Sequence, residues 1–140
     1  MCSVVHVAAG ALIGSFLDSR LPAFAVGFVS HIPLDAVPHI DFEDFRVDAV
    51  LTLALLGGIL LVSGFSPVFL GALGAVAPDF ENLIWKCGII PERSKVFPTH
   101  SGLIKHGRAV GGRGRAGEIV MSAFSVGLVV VAVLVAGGRN

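Results

Sequence analysis

The sequence predicts an all-α, polytopic membrane protein of about five helices, with a metal site at their cytoplasmic ends. Composition points there first. Of 140 residues, 54% are hydrophobic and 14% charged, and mean hydropathy is +0.86. A soluble domain carries about 25% charged residues. Segmentation is the second observation: apolar runs alternate with short polar breaks, and the length suits a few membrane helices with no separate soluble domain. The third is residues 30–41, SHIPLDAVPHID, which place His31, Asp35, His39 and Asp41 at the end of an apolar run. A carboxylate at the centre of the bilayer costs about 2.5–3.5 kcal/mol on insertion scales, so such groups are paired, metal-bound or turned to water.

The first helix is expected over 4–17, apolar except for His6 and Ser15. Ala8, Ala9, Gly10, Ala11 and Gly14 suit close packing against another helix. No basic n-region precedes this run and no Ala-x-Ala site closes a clean apolar core, so it reads as the first helix of the mature protein. A second helix is expected over 21–37, opened by Pro22, bent at Pro33 and stopped by Pro38. Asp41, Glu43, Asp44 and Asp48, against Arg46 alone, then form an acidic loop.

Residues 49–78 contain no charge. One helix of that length would measure about 45 Å against a hydrocarbon core of about 30 Å. The Ser63-Gly64-Phe65-Ser66-Pro67 segment is the natural break, giving helices over 48–62 and 67–84. Leu21-Pro22-Ala23-Phe24 aligns with Ser66-Pro67-Val68-Phe69, and the same offset superposes Pro33 on Pro78. Either two similar helices bring Asp35 and Asp79 to a shared site, or apolar residues match by chance. A basic loop over 86–117 follows, and a final helix over 118–137 begins at Glu118, where the helix dipole favours a carboxylate. The chain is read as a single membrane domain, 1–140.

With five alternating helices, two Lys or Arg (Arg20, Arg139) fall on one side and eight on the other. The positive-inside rule places the second side in the cytoplasm of a prokaryotic-type inner membrane. All five histidines, and every acid except Asp18, fall at that end. Separate stretches thus converge on one face.

His31 and Asp35, at i and i+4, share a helical face. His39 follows beyond Pro38, and Asp41 reaches back from the loop. His6, Asp79 and His100 are the other candidate ligands, with His100 also a candidate acid–base group and His106 nearby in the same loop. Such nitrogen and oxygen donors suit zinc, or manganese or iron at a more open site. The plainer alternative is an interfacial His–Asp hydrogen-bonded pair beside a solvated loop. Cys2 and Cys87 stand alone, so no Cys-x-x-Cys site exists. The GRGRAG run at 112–117 fits a dinucleotide fingerprint only formally, since no strand precedes it. A basic, membrane-adjacent segment suits anionic lipid headgroups, and no aromatic interleaving suggests nucleic acid.

These motifs resemble those of the YdjM-like family of membrane-bound metal-dependent hydrolases and, more distantly, zinc-dependent phospholipase C. The matching pieces are His6 followed by Ala-Ala-Gly, the Ser-His31-x-x-x-Asp35-x-x-Pro-His39 run, Ala-Pro-Asp79 and Thr99-His100-Ser101. They span about residues 4 to 106. Two features depart from the family pattern. Its Pro-Asp-hydrophobic-Asp appears as Pro78-Asp79-Phe80-Glu81, and Lys95-Val96-Phe97-Pro98 stands near the place of its His-Arg pair. One ligand is then missing or supplied by His106.

The resemblance implies a His/Asp-bound divalent metal and a hydrolase acting on a phosphoester, plausibly in a phospholipid headgroup. In that reading a metal-activated water attacks the ester. Asp41 or Glu81 orients the water or serves as base, and Lys95, Lys105 and Arg108 hold the anionic substrate. The alternative is a non-enzymatic metal-binding or scaffold protein. A transport path would need polar groups through the membrane, and the third and fifth helices offer only Thr52, Ser122 and Ser125.

Overall fold

The computed structural model describes residues 2–107 and 115–139. These fold into six α-helices with no strand: α1 (Ser3–Ser15), α2 (Arg20–Ala36), α3 (Phe45–Ser63), α4 (Pro67–Val76), α5 (Asp79–Lys86) and α6 (Arg115–Gly137). A short 3₁₀ turn, Glu92–Ser94, interrupts the connection from α5 to α6. Arg108 and residues 112–114 of the glycine-rich run lie outside the described residues.

Local chemistry explains most boundaries. The Asp44 side chain accepts from Arg46 N at 2.9 Å and caps α3. Gly64, at φ 60°, ends it in a conformation that other residues rarely adopt. Ser66 and Pro67 open α4, with Ser66 Oγ accepting from Phe69 N. The helix expected over 67–84 is two helices, α4 and α5. Pro78 lacks the N–H that would continue the ladder, and its ring crowds the preceding turn. Pro33 meets the same conflict yet stays inside α2, in its last turn. The two prolines matched by the internal repeat therefore play different parts.

Helix α4 lies between α1 and α2, with α6 against α1 and α3 against α1 and α4. Small residues allow this. A Cβ on Gly71 would stand 2.3 Å from Gly10 O, and one on Gly74 would stand 2.2 Å from Phe24 O. Bare backbone at these points lets α4 sit against both neighbours, with Val7, Ala8, Ala11, Val68, Ala72 and Ile59 filling the core beside it. A second small cluster joins Cys2, Val4 and Phe42 at the other end of α1.

Asp48, expected where the acidic loop meets the helix over 48–62, has a structural role the sequence did not suggest. It lies in the first turn of α3, fully buried, and accepts from Ser3 N at 3.0 Å and Val4 N at 3.2 Å. It thereby caps α1 from a neighbouring helix and satisfies two of the N–H groups a helix start leaves open.

Two helices among the described residues are long and apolar enough to cross a membrane: α3, with 19 residues, and α6, with 23. By length, α1 and α4 measure about 20 and 15 Å, short of a hydrocarbon core of about 30 Å. At one end of the bundle Arg139 pairs with Asp18 at 2.5 Å and donates to Ser15 O. The histidines collect at the other end.

Candidate metal centre

Four segments meet at the histidine end. His6 comes from the first turns of α1, His31 and Asp35 from the last turns of α2, and Asp79 from the start of α5. His100 comes from the turn that follows the 3₁₀ segment. Asp79 follows directly on Pro78, where the helical ladder is interrupted while the backbone stays in the helical region, and the close approach of α4 to α1 and α2 brings His6 and His31 together. Their rings stack with centroids 4.0 Å apart.

The arrangement centres on Asp35. Its Oδ2 lies 3.2 Å from His31 Nε2 and 3.3 Å from His100 Nε2. Thr99 Oγ1 donates to the same oxygen at 2.6 Å. Its Oδ1 lies 3.3 Å from His6 Nε2 and 3.5 Å from His106 Nε2. Asp79 Oδ1 stands 3.8 Å from Nε2 of both His31 and His100. Two overlapping donor triads result, His6–His31–Asp79 and His31–Asp35–His100, each with its ligand atoms within 4.8 Å of one another.

Hydrogen bonds on the far sides of the rings fix the tautomers. His31 Nδ1 lies 2.6 Å from Ala75 O, and a carbonyl only accepts, so Nδ1 carries the proton. His100 Nδ1 lies 3.3 Å from Glu81 Oε2 and donates to it in the same way. The inward atom of each ring is therefore Nε2; these two Nε2 atoms are 3.3 Å apart and both lie beside Asp35 Oδ2. An imidazolium there donates its Nε2 proton to Asp35, whereas a neutral ring offers its Nε2 lone pair to a cation. Ligands on tetrahedral zinc, with Zn–N of about 2.0–2.1 Å, stand about 3.3–3.4 Å apart. The donor set thus fits a divalent ion, and the Nδ1 partners supply the outer contacts such ligands need. Asp79 Oδ2 and His6 Nδ1 are buried with no hydrogen-bond partner.

Glu81, a candidate base or water-orienting group from the sequence, makes three hydrogen bonds here. It accepts from Val96 N, from Phe97 N at 3.2 Å and from His100 Nδ1. It pins the 96–100 loop and sets the ring of His100. Phe97 packs edge-on to His31, centroids 5.2 Å apart, and closes that side. The chain then folds back so that Gly107 N donates to Asp35 O at 2.7 Å, which seats His106 at the rim, 39% exposed.

His39 and Asp41 stand apart from both triads. They pair with each other at 3.3 Å, and His39 Nδ1 donates to Val37 O. Asp41 raises the His39 imidazole above its ordinary value, and His39 in turn holds the Asp41 carboxyl below the usual carboxylate range. Both line the same open pocket of about 230 Å³ into which His6, Asp35, Asp79 and His100 look. Lys95 lines it as well, with Nζ 3.4 Å from the Trp85 ring centre, and burial lowers the pKa of this ammonium. Lys86 is a second cation there that the sequence reading passed over. Lys105 is exposed and is not part of that wall. Thr99 was visible in sequence only as a hydroxyl beside His100. Asp48 carried no signal that separated it from the loop acids before it.

Comparison of the chain with protein-family models, with curated proteins and with solved structures gives no match.

Proposed function

We propose that this chain is a membrane-embedded, divalent-metal-dependent hydrolase acting on an anionic ester, a phosphoester in the first instance. The observation that carries this reading is the convergence of His31 Nε2 and His100 Nε2, 3.3 Å apart, on Asp35 Oδ2, with Asp79 and His6 beside them. Motif resemblance to the YdjM-like hydrolases points the same way. His31, Asp35, Asp79 and His100 hold the ion, zinc by ligand chemistry, with His6 completing the set. When bound, such an ion lowers the pKa of a coordinated water toward about 7 and polarises an ester oxygen.

The chain's own groups do the rest. Glu81 and the Ala75 carbonyl hold the two imidazoles in the ligating tautomer. Thr99 holds Asp35 from the side. Lys86 and Lys95 make the pocket attractive to an anion. His106, half in solvent and 3.5 Å from Asp35 Oδ1, is placed to pass a proton between the pocket and water. The length and apolar composition of α3 and α6, and the excess of Lys and Arg that the sequence assigns to the histidine end, support a bilayer setting with the site at the cytoplasmic interface.

The test is hydrolysis of a phospholipid in mixed micelles by detergent-purified protein. Activity that chelator removes and zinc restores, and that His31→Ala lacks, is the expected result. Activity indifferent to chelator, or none from metal-loaded protein over a panel of phosphoesters, would overturn the hydrolase reading.

A further inference from the structure

Asp79 also lines a second, larger cavity of about 410 Å³. Its walls come from one face of α3 (Ala49, Thr52, Leu53, Leu56) and from Leu73 and Leu83 on α4 and α5. The spacing 49, 52, 53, 56 is that of a single helical stripe. The groove is open on the outside, where Leu53 is 68% and Phe80 65% exposed. Helix α3 is also one of the two able to cross a bilayer, so this opening faces the lipid side of the molecule in the membrane setting proposed above.

Polar residues in the groove wall give it a second character. Among the described residues, five buried side-chain polar atoms lack a hydrogen-bond partner. Three of them, Ser3 Oγ, Thr52 Oγ1 and Asp79 Oδ2, belong to residues that line this one groove. Buried polar groups without partners are costly. A wholly apolar occupant would leave them so. What suits the groove is a molecule with an aliphatic body and a hydrogen-bonding head: a donor for the Asp79 carboxylate and an oxygen for the hydroxyls. Asp79 also lines the polar pocket, so the head of such a molecule would lie beside the candidate metal ligands.

We propose that the groove holds an aliphatic chain of a membrane lipid, with its hydroxyl- or ester-bearing head turned to Asp79. The substrate of the metal site is then an amphiphile drawn sideways from the bilayer. This last step rests on the hydrolase reading above, whereas occupancy of the groove is measured independently of it.

The experiment uses full-length protein in phosphatidylglycerol–phosphatidylcholine vesicles containing a phospholipid with a diazirine on its acyl chain. After irradiation, adducts are mapped by peptide mass spectrometry, and metal content is measured on the same samples. Adducts enriched at least fivefold at Leu56, Leu73 and Leu83 over the exposed Leu134 of α6, and lost in Ala49→Trp while Leu134 labelling persists, are expected. Labelling equal at groove and Leu134, or unchanged by Ala49→Trp, overturns the proposal. The wild-type map decides the matter by itself if Ala49→Trp fails to fold. A metal-loaded protein with an unlabelled groove sinks only the lipid proposal. A labelled groove in a protein that binds no metal sinks only the hydrolase reading.

Discussion

His31 Nδ1 lies 2.6 Å from the carbonyl oxygen of Ala75, across the α2–α4 contact. This bond joins packing to chemistry. Gly27 sits one turn before His31 and meets α4 so closely that a Cβ there would stand 2.3 Å from Gly71 O. The approach that glycine permits places Ala75 within reach of the imidazole and decides which nitrogen faces the site. A change in helix packing should therefore be read out at the metal.

Gly71→Val tests that link. The added side chain would meet the Gly10 carbonyl, and overpacking of this kind costs about 1–3 kcal/mol. Thermal unfolding in detergent should show a lower midpoint. Metal affinity of the fraction that stays folded should fall too, measured by competition with a chelating dye.

Glu81→Ala should separate positioning from ligation. The variant loses the partner of His100 Nδ1 and the anchor of the 96–100 loop. Loss of an outer partner of this type costs about 10–100-fold in metal affinity. Glu81→Gln, which can still accept through its amide oxygen, should retain more of the affinity than Glu81→Ala. Equal loss in both would mean that the carboxylate charge itself matters at the site.

Asp48→Ala leaves the N–H groups of Ser3 and Val4 buried without acceptors. Each buried unmade bond costs about 1–3 kcal/mol, so a large drop in stability is expected from a residue that belongs to neither donor triad. Chemical denaturation followed by circular dichroism measures it. A neutral outcome would show that water reaches the start of α1.

The His39–Asp41 pair predicts a pH signature. The folded pKa of His39 is raised above 6.5, chiefly by its hydrogen bond to Asp41. Its contribution to stability is complete below the unfolded value and fades as pH rises through the folded one. Asp41 is depressed below 3.8, chiefly by the same bond. Its contribution is present above that value and fades as pH falls through the folded one. The pair therefore stabilises most between those two limits. In Asp41→Asn, the His39 ring proton followed by NMR should titrate at lower pH than in wild type.

The sequence made some of this legible and hid the rest for physical reasons. His31 and Asp35 could be paired because i, i+4 spacing survives inside a helix, Pro33 notwithstanding. Asp79 and His100 could be named as candidates because a polar residue beside an apolar run asks for a partner. The break between α4 and α5 was hidden, since Pro33 and Pro78 look alike in sequence and only packing decides which of them ends a helix. The role of Asp48 was hidden too, because a cap supplied from another helix leaves no local pattern. His39 was a candidate ligand beyond Pro38, where helix was not assured; the chain turns extended at Val37 and sets His39 against Asp41.

The most direct measurement is elemental analysis of detergent-purified protein, with wild type beside Asp35→Asn, His100→Ala and His39→Ala. Stoichiometric divalent metal is expected in wild type and in His39→Ala, and none in the other two, with all four equally helical. A well-folded wild type without metal, or a His39→Ala variant that loses it as completely as His100→Ala, would contradict the site built on His31, Asp35, Asp79 and His100.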